Sequence, residues 1–220
     1  MTTTHLSEAP AASPAHATAR SRLSALALAG AGVGIVLGHL LTVPPTGKAS
    51  VYVADLAAHR TTGVIGGLLT AVGAFLLVPG LAAVLRLVPE RGARLATIGA
   101  VLAGTGIVAL GAGDVMITLV MGSLVEKHAD LATTLFKISD TEPLIGLPFA
   151  LAPLFVLGMV LLGIALFRAR TVPIWLAVLT IVGAVGVFFS SAGGASAFIP
   201  LLPLGIALVG LGTIALRRPA

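Results

Sequence analysis

Long runs of apolar residues alternate with short polar segments along most of this 220-residue chain. Each run reaches or nearly reaches the roughly 20 residues that an α-helix needs to cross a hydrocarbon core about 30 Å thick. The pattern predicts six transmembrane helices, at about residues 23–43, 62–88, 95–124, 144–167, 172–190 and 198–216. The last two runs are separated by the small residues 191–196, which are typical of a tight turn.

The composition also indicates a membrane protein. Hydrophobic residues make up 57% of the chain and charged residues 10%, whereas soluble domains carry about 25% charged residues. A soluble fold of this size cannot hide so much apolar surface, so lipid must surround most of it. We therefore expect an all-α, polytopic protein of the plasma (inner) membrane, with residues 23–218 forming a bundle of six transmembrane helices.

The first 22 residues differ from the rest of the chain. Residues 1–22 are rich in Ala, Thr, Ser and Pro and lack hydrophobic periodicity, so they predict a disordered cytoplasmic tail. The apolar run 23–43 is longer than the core of a signal peptide, and no small-x-small cleavage site follows it closely. We interpret it as an uncleaved first membrane helix.

The Lys and Arg residues between the apolar runs predict the orientation. If the N-terminus is inside, nine basic residues lie in inner segments and four in outer ones, so the positive-inside rule places both termini in the cytoplasm. The inner residues are Arg20, Arg22, Arg86, Arg91, Arg94, Arg168, Arg170, Arg217 and Arg218, and the outer ones are Lys48, Arg60, Lys127 and Lys137. The net charge of +5 therefore reflects basic residues whose uneven distribution orients the protein in the membrane. It does not indicate nucleic-acid binding.

Two predicted outer loops contain helical patterns of their own. Residues 48–60 predict a short helix that leads into the second crossing. The apolar stripe of the other loop predicts an amphipathic helix lying on the outer leaflet. That stripe consists of Leu124, His128, Leu131, Leu135 and Ile138.

Glycines at four-residue spacing mark one face of the first helix. Gly30, Gly34 and Gly38 remove the side-chain barrier between helices and allow backbones to approach closely. We favour packing within the chain's own bundle, and the alternative is the seam of a homodimer.

Asp114 is the most informative polar residue, because it lies within the third predicted crossing. A charged carboxylate at the bilayer centre costs about 2.5–3.5 kcal/mol on insertion scales, so it needs a proton, a partner or water. His39, His59 and Arg60 fall at roughly its level, so these four residues are a candidate polar cluster facing the outside. Either the cluster binds protons or a small ligand, or Asp114 pairs with Arg60 or a histidine and joins the helices.

Several kinds of chemistry are excluded by what the sequence lacks. There is no cysteine, which excludes disulfides, thiolate metal sites and cysteine nucleophiles. Among the histidines only His39 lies clearly within a predicted helix, which argues against haem ligation. The sequence contains neither a zinc-hydrolase motif nor a phosphate-binding loop. We therefore predict no catalytic residue, metal or cofactor.

A longer stretch resembles a known group of proteins. The residues that carry the resemblance are 52–60, the segment from Gly66 to Gly80 and the basic turn Arg86 to Arg94. Over residues 50–170 the chain resembles uncharacterised multi-pass membrane proteins of high-GC Gram-positive bacteria, which carry domain-of-unknown-function labels. The resemblance implies a bacterial plasma-membrane location and supplies no activity and no site residue.

The functional expectation follows from dense small residues and few buried ionisable groups. We expect a non-enzymatic accessory or structural membrane protein whose surroundings are lipid and whose partners are further copies or another membrane protein. The alternative is a small secondary transporter or ion-coupled permease in which Asp114 titrates. A lipid-acting enzyme would need His39, His59 and Asp114 as its acid–base groups, and the sequence does not favour it.

Overall fold

The computed structural model describes residues 14–42, 48–90, 92–141, 150–190 and 199–218, and within them every regular element is a helix. The α-helices are α1 (Pro14–Leu41), α2 (Ala49–Ala58), α3 (Arg60–Leu87), α4 (Ala93–Leu124), α5 (Ala129–Thr141), α6 (Ala152–Ala169), α7 (Ile174–Ser190) and α8 (Leu202–Arg217), with a 3-10 turn at Ile199–Leu201 before α8.

Five helical segments of the described chain are long and apolar enough to cross a membrane. They are Thr18–Leu41, Arg60–Leu87, Ala93–Leu124, Ala152–Ala169 and Ile199–Arg217. The segment Ile174–Val187 of α7 is apolar but shorter. The six predicted crossings therefore correspond to five long apolar helices and one shorter one, and residues 144–149 of the predicted fourth crossing lie outside the described ranges.

The first helix begins earlier than its apolar run. α1 starts at Pro14, inside the segment 1–22 for which the sequence predicts a disordered tail. Proline suits the first position of a helix because it lacks the N–H group that would be unsatisfied there, and the alanines that follow are strong helix formers. Hydropathy alone misses such an extension because polar helical turns outside the membrane carry no apolar signal. Residues 1–13 are not among those described.

Neighbouring long helices run antiparallel, because residues late in one helix lie against residues early in the next. The contacts that define these directions are Gly66 with Thr42 and Gly80 with Leu28 for α1 and α3, Gly111 with Ala74 and Gly122 with Val64 for α3 and α4, Gly99 with Leu162 and Gly106 with Phe155 for α4 and α6, Gly183 with Leu204 and Gly210 with Leu176 for α7 and α8, and Gly32 with Gly205 and Gly212 with Ala25 for α1 and α8. For α6 and α7 the short connection 170–173 and the contact of Gly163 with Ala177 give the direction.

These six helices form a closed cycle of contacts, in which α8 packs back against α1. The start of α1 and the end of α8 lie at the same end of the bundle, which we call the N/C end; it also holds Leu87 and Arg168. The opposite end, which we call the cap end, holds Leu41, Arg60 and Leu124.

The bundle has one continuous apolar core and an apolar outer surface. Leu28, Leu77, Phe155, Leu162 and Leu208 are each at most 2% exposed and belong to the same core cluster. Many large apolar side chains point outwards instead. Examples are Leu23, Val101 and Trp175, which are 65%, 64% and 54% exposed. Lipid tails are as apolar as leucine, so this outer surface suits a bilayer and tight packing must hold the helices together.

The two short helices form a separate layer at the cap end. α2 and α5 pack against each other and against the end of α4, around a second apolar cluster that includes Tyr52, Val53 and Ala132. The rings of Tyr52 and Phe136 lie 4.9 Å apart at 38°.

α2 corresponds to the short helix predicted at 48–60, and the predicted stripe is buried only in part. Leu124 and Leu135 of that stripe pack against the second cluster. Ala132, Leu135 and Phe136 lie in the cluster with α2, whereas Leu131 is 48% exposed.

Candidate functional site

His39 contacts a polar side chain of the neighbouring helix. It lies in the last turn of α1, where its Nδ1 atom is 3.0 Å from the Ile35 carbonyl oxygen and 3.5 Å from Thr70 Oγ1 on α3. In the tautomer protonated at Nδ1, that nitrogen donates to the Ile35 carbonyl and Nε2 is left as an acceptor. This polar pair is enclosed by α1 and α3, since Thr70 is only 5% exposed.

Glycines create the space for three threonine side chains in this region. A methyl group on Gly38 would overlap the Thr70 hydroxyl, and one on Gly67 would overlap the Thr118 side chain. A methyl group on Gly66 would lie 2.7 Å from Thr42 Oγ1. The glycines therefore seat hydroxyl groups between α1, α3 and α4, in a layer that we call the threonine layer (Thr42, Thr70 and Thr118).

Asp114 lies on α4 at the level of the threonine layer. Its neighbours one turn away in either direction, Gly111 and Thr118, contact Ala74 and Gly67 of α3. By the same antiparallel register, the backbone of Asp114 is level with Ala71. The side chain of Asp114 is outside the described part of the structure.

Arg60 is held at the cap end of the bundle. Its Nη1 atom lies 2.6 Å from Glu126 Oε1 and its Nε donates to the Gly122 carbonyl oxygen at 2.7 Å. The arginine and glutamate side chains are 40% and 56% exposed. His59, which precedes Arg60, is exposed and its Nδ1 lies 3.2 Å from the Asp55 carbonyl oxygen.

The four candidate residues lie at two levels. Arg60 and Thr70 are ten residues apart on α3, which corresponds to about 15 Å along the helix axis. His39 and the backbone of Asp114 share the level of Thr70, whereas His59 and Arg60 share the aqueous edge with Glu126. The structure therefore brings Arg60 to Glu126 and His39 to Thr70.

We did not predict Glu126 as the partner of Arg60 or Thr70 as the partner of His39 from the sequence. The sequence contains a usable signal only for Glu126. The connection between α3 and α4 covers only residues 88–92, so the start of α3 must lie near the end of α4 in this antiparallel pair. Arg60 is the first residue of α3, and Glu126 lies two residues after the end of α4. Thr70 has no such signal, because a threonine within an apolar helix usually bonds its own backbone.

The glycine face of α1 lies against α3 of the same chain. A methyl group on Gly34 would be 3.0 Å from the Gly73 Cα atom, and one on Gly30 would be 3.3 Å from Leu76 Cδ1. Together with Gly38, these residues line the contact between α1 and α3.

Hydrogen bonds from arginines connect the helices at the N/C end. Arg86 Nη2 donates to the Ser21 carbonyl oxygen and to Ser24 Oγ, both at 2.7 Å. The Thr171 hydroxyl donates to the Leu87 carbonyl, and Arg218 donates to the Thr171 carbonyl. These contacts join the start of α1, the end of α3, the turn before α7 and the end of α8. Among the described residues there is no group of three His, Asp or Glu side chains that could hold a metal ion.

Comparison with known proteins identifies one family. Residues 23–217 match the family model described as a domain of unknown function (DUF4386). No curated protein and no solved structure matches the chain.

Proposed function

The chain belongs to the DUF4386 family, and on that premise we propose that it is a non-enzymatic integral protein of the plasma membrane that acts as a structural or accessory subunit. Its partners are further copies of the chain or another membrane protein. The observation that supports this proposal is the close approach of glycines to main-chain atoms at five of the six pairs of neighbouring helices in the cycle; between α3 and α4 the glycines lie against side chains.

Such contacts favour a rigid body over a gated one. Gly34 lies against Gly73, Gly183 against Leu204, and Gly212 against the Ala25 carbonyl, so helix backbones approach each other closely at most contacts of the cycle. Alternating access requires one set of helices to rock against another. Movement at these glycines would separate close-packed main chains, and in lipid no hydrophobic gain drives the helices back together.

The proposed architecture has six crossings with both termini in the cytoplasm. α6 and α8 both run opposite to α1, so the chain must return across the bundle between them, and α7 makes that return. Its 17 residues span about 25 Å, which is close to the thickness of a hydrocarbon core. The N/C end carries Arg86, Arg94, Arg168 and Arg217, which supports a cytoplasmic assignment of this end.

Crosslinking of membranes before purification in mild detergent tests this function. We expect the tagged chain to be recovered in a defined complex, either with itself or with a membrane protein identified by mass spectrometry. A monomer without partners that catalyses uptake into proteoliposomes would contradict the proposal.

A proton-linked transporter is the second candidate. It is favoured by one observation, namely that the backbone of Asp114 lies level with His39 and Thr70. In that function Asp114 is the titrating group, His39 is its neighbour, and His59 and Arg60 lie at the aqueous entrance. Asp114→Asn would then abolish proton-linked uptake without changing the melting temperature. A loss of stable insertion or of thermal stability alone would instead assign Asp114 to helix pairing.

A further inference from the structure

A pocket opens at the N/C end between the start of α4 and the end of α6. It has a volume of about 540 Å³ and is lined by Gly92, Phe167, Arg168 and Arg170. Gly92 lies beside the Ala165 carbonyl, so the two helix ends form adjoining walls. The pocket is far from the threonine layer and belongs to no site considered above.

The two arginines of the pocket have no partner among the described residues, unlike others at this end. Arg86 is bonded to Ser21 and Ser24, and Arg218 is bonded to Thr171. Arg168 and Arg170 are exposed, and their guanidinium groups make no hydrogen bond or ion pair within the described ranges. The nearby described segments contain a single carboxylate, that of Glu90. The pocket therefore has a net positive charge that the described residues do not neutralise.

The start of α4 borders the same pocket through Gly92. Gly92 has a φ of +113° and is the N-cap of α4, so no side chain accepts hydrogen bonds from the first turn of that helix. The positive end of the α4 helix dipole favours an anion there. The end of α6 contributes a helix dipole of the opposite sign, which offsets that of α4. The attraction for an anion therefore comes mainly from the two guanidinium groups.

An apolar side chain borders these charges. Phe167 is 51% exposed and belongs to the last turn of α6, next to the outer surface of the bundle. An anion held by Arg168 and Arg170 would therefore lie beside a surface suited to hydrocarbon. A phosphate group joined to acyl chains meets both requirements, and a free phosphate ion meets only one.

We propose that this pocket binds the phosphate headgroup of an anionic phospholipid in the leaflet next to the N/C end. Guanidinium groups suit phosphate because they offer planar, paired donors, and basic pockets between membrane helices bind such headgroups. The inference goes beyond the proposed function and requires only that the bundle lies in a bilayer.

Titration of the full chain in mild detergent with phosphatidylglycerol, followed by native mass spectrometry and thermal unfolding, tests the proposal. Phosphatidylglycerol should be retained and should raise the melting temperature, whereas phosphatidylcholine should do neither. Replacing both arginines (Arg168→Gln with Arg170→Gln) should weaken retention roughly thirtyfold, which corresponds to about 1 kcal/mol for each arginine.

The matched control removes two exposed charges from the same end outside the pocket (Arg22→Gln with Arg217→Gln) and should change affinity by less than about threefold, as expected for screened charges. Equal loss in both double variants would overturn the proposal, since general charge attraction would explain it. Arginine-dependent binding of inorganic phosphate without binding of phosphatidylglycerol would overturn it too. If the double variant fails to fold, Arg168→Gln alone should still weaken retention, and unchanged retention would count against the site.

Discussion

The Arg60 guanidinium lies 2.6 Å from the Glu126 carboxylate, and this ion pair joins the first turn of α3 to the turn that follows α4. The same side chain donates to the Gly122 carbonyl near the end of α4. One arginine thus neutralises an acidic side chain and satisfies a carbonyl near a helix end, where a positive charge is favourable. Substitution of Arg60 should therefore lower stability more than substitution of Glu126.

Glu126→Gln should lower the free energy of unfolding by about 0.2–1 kcal/mol, because both side chains of the pair are exposed to water. Arg60→Gln removes the bond to Gly122 as well, and should lower it by about 1 kcal/mol more. Thermal unfolding in detergent at low and high salt measures both. Added salt should lower the stability of the wild-type protein more than that of the Glu126→Gln variant, because the variant has no ion pair to screen. If the two substitutions had equal effects, the hydrogen bond to the Gly122 carbonyl would contribute nothing.

Gly38→Ala should destabilise the contact between α1 and α3. The new methyl group would overlap the Thr70 hydroxyl and would lie 2.8 Å from the Gly66 carbonyl oxygen, which is main chain and cannot rotate away. Overpacking of this kind costs about 1–3 kcal/mol. The melting temperature in detergent measures the loss.

Gly104→Ala is the matched control for that substitution. A methyl group there would lie 3.6 Å from Leu81 Cδ1, which is an ordinary contact, so stability should stay unchanged or rise slightly through helix propensity. If Gly104→Ala proved as harmful as Gly38→Ala, close helix approach would not be the reason for the glycines.

Arg86→Gln should loosen the N/C end. It removes two hydrogen bonds from a charged donor to α1, and such bonds contribute about 1.5–3 kcal/mol. Ser24→Ala removes one of them and should have a smaller effect. Arg217→Gln, at an exposed position of the same end, serves as the control for lost charge. Equal melting temperatures for Arg86→Gln and Arg217→Gln would contradict a joining role for Arg86.

Single cysteines test the crossing count, because the chain has no cysteine of its own. In intact cells a membrane-impermeant maleimide should label Asp130→Cys at the start of α5 and should leave Glu90→Cys and Arg217→Cys unlabelled until the membrane is broken. Labelling of Arg217→Cys in intact cells would instead indicate an odd number of crossings and an outer C-terminus.

Hydropathy predicts the positions of the helices in this protein well, but it predicts poorly which helices pack against each other. Apolar runs identify the long helices because lipid requires about 20 apolar residues in a row for each crossing. The packing of α8 against α1 has no comparable signal, since apolar residues occur on every face of both helices. The small residues of α1 mark a packing face, but the contact with α3 depends on which glycines oppose them.

The candidate site was predictable only in part. The sequence indicates that His39 and Asp114 lie at similar depth, and the helix register agrees with this for the backbone of Asp114. Pairing of Arg60 with Asp114 was one expectation, whereas the antiparallel register places Arg60 beside Glu126 and Asp114 eleven residues further along α3, beside Ala71. Depth estimated from run ends is too coarse to separate these two levels.

The contact between Gly32 and Gly205 has a consequence for biosynthesis. It joins the first long helix to the last one, so the ribosome must complete nearly the entire chain before α1 can acquire this neighbour. Until then Ala25 and Gly32 remain without the surface that covers them in the finished protein. Contacts between residues so distant in sequence form slowly, so closure by α8 should be the final and slowest step of assembly, and premature termination before α8 should expose α1 to quality-control proteases.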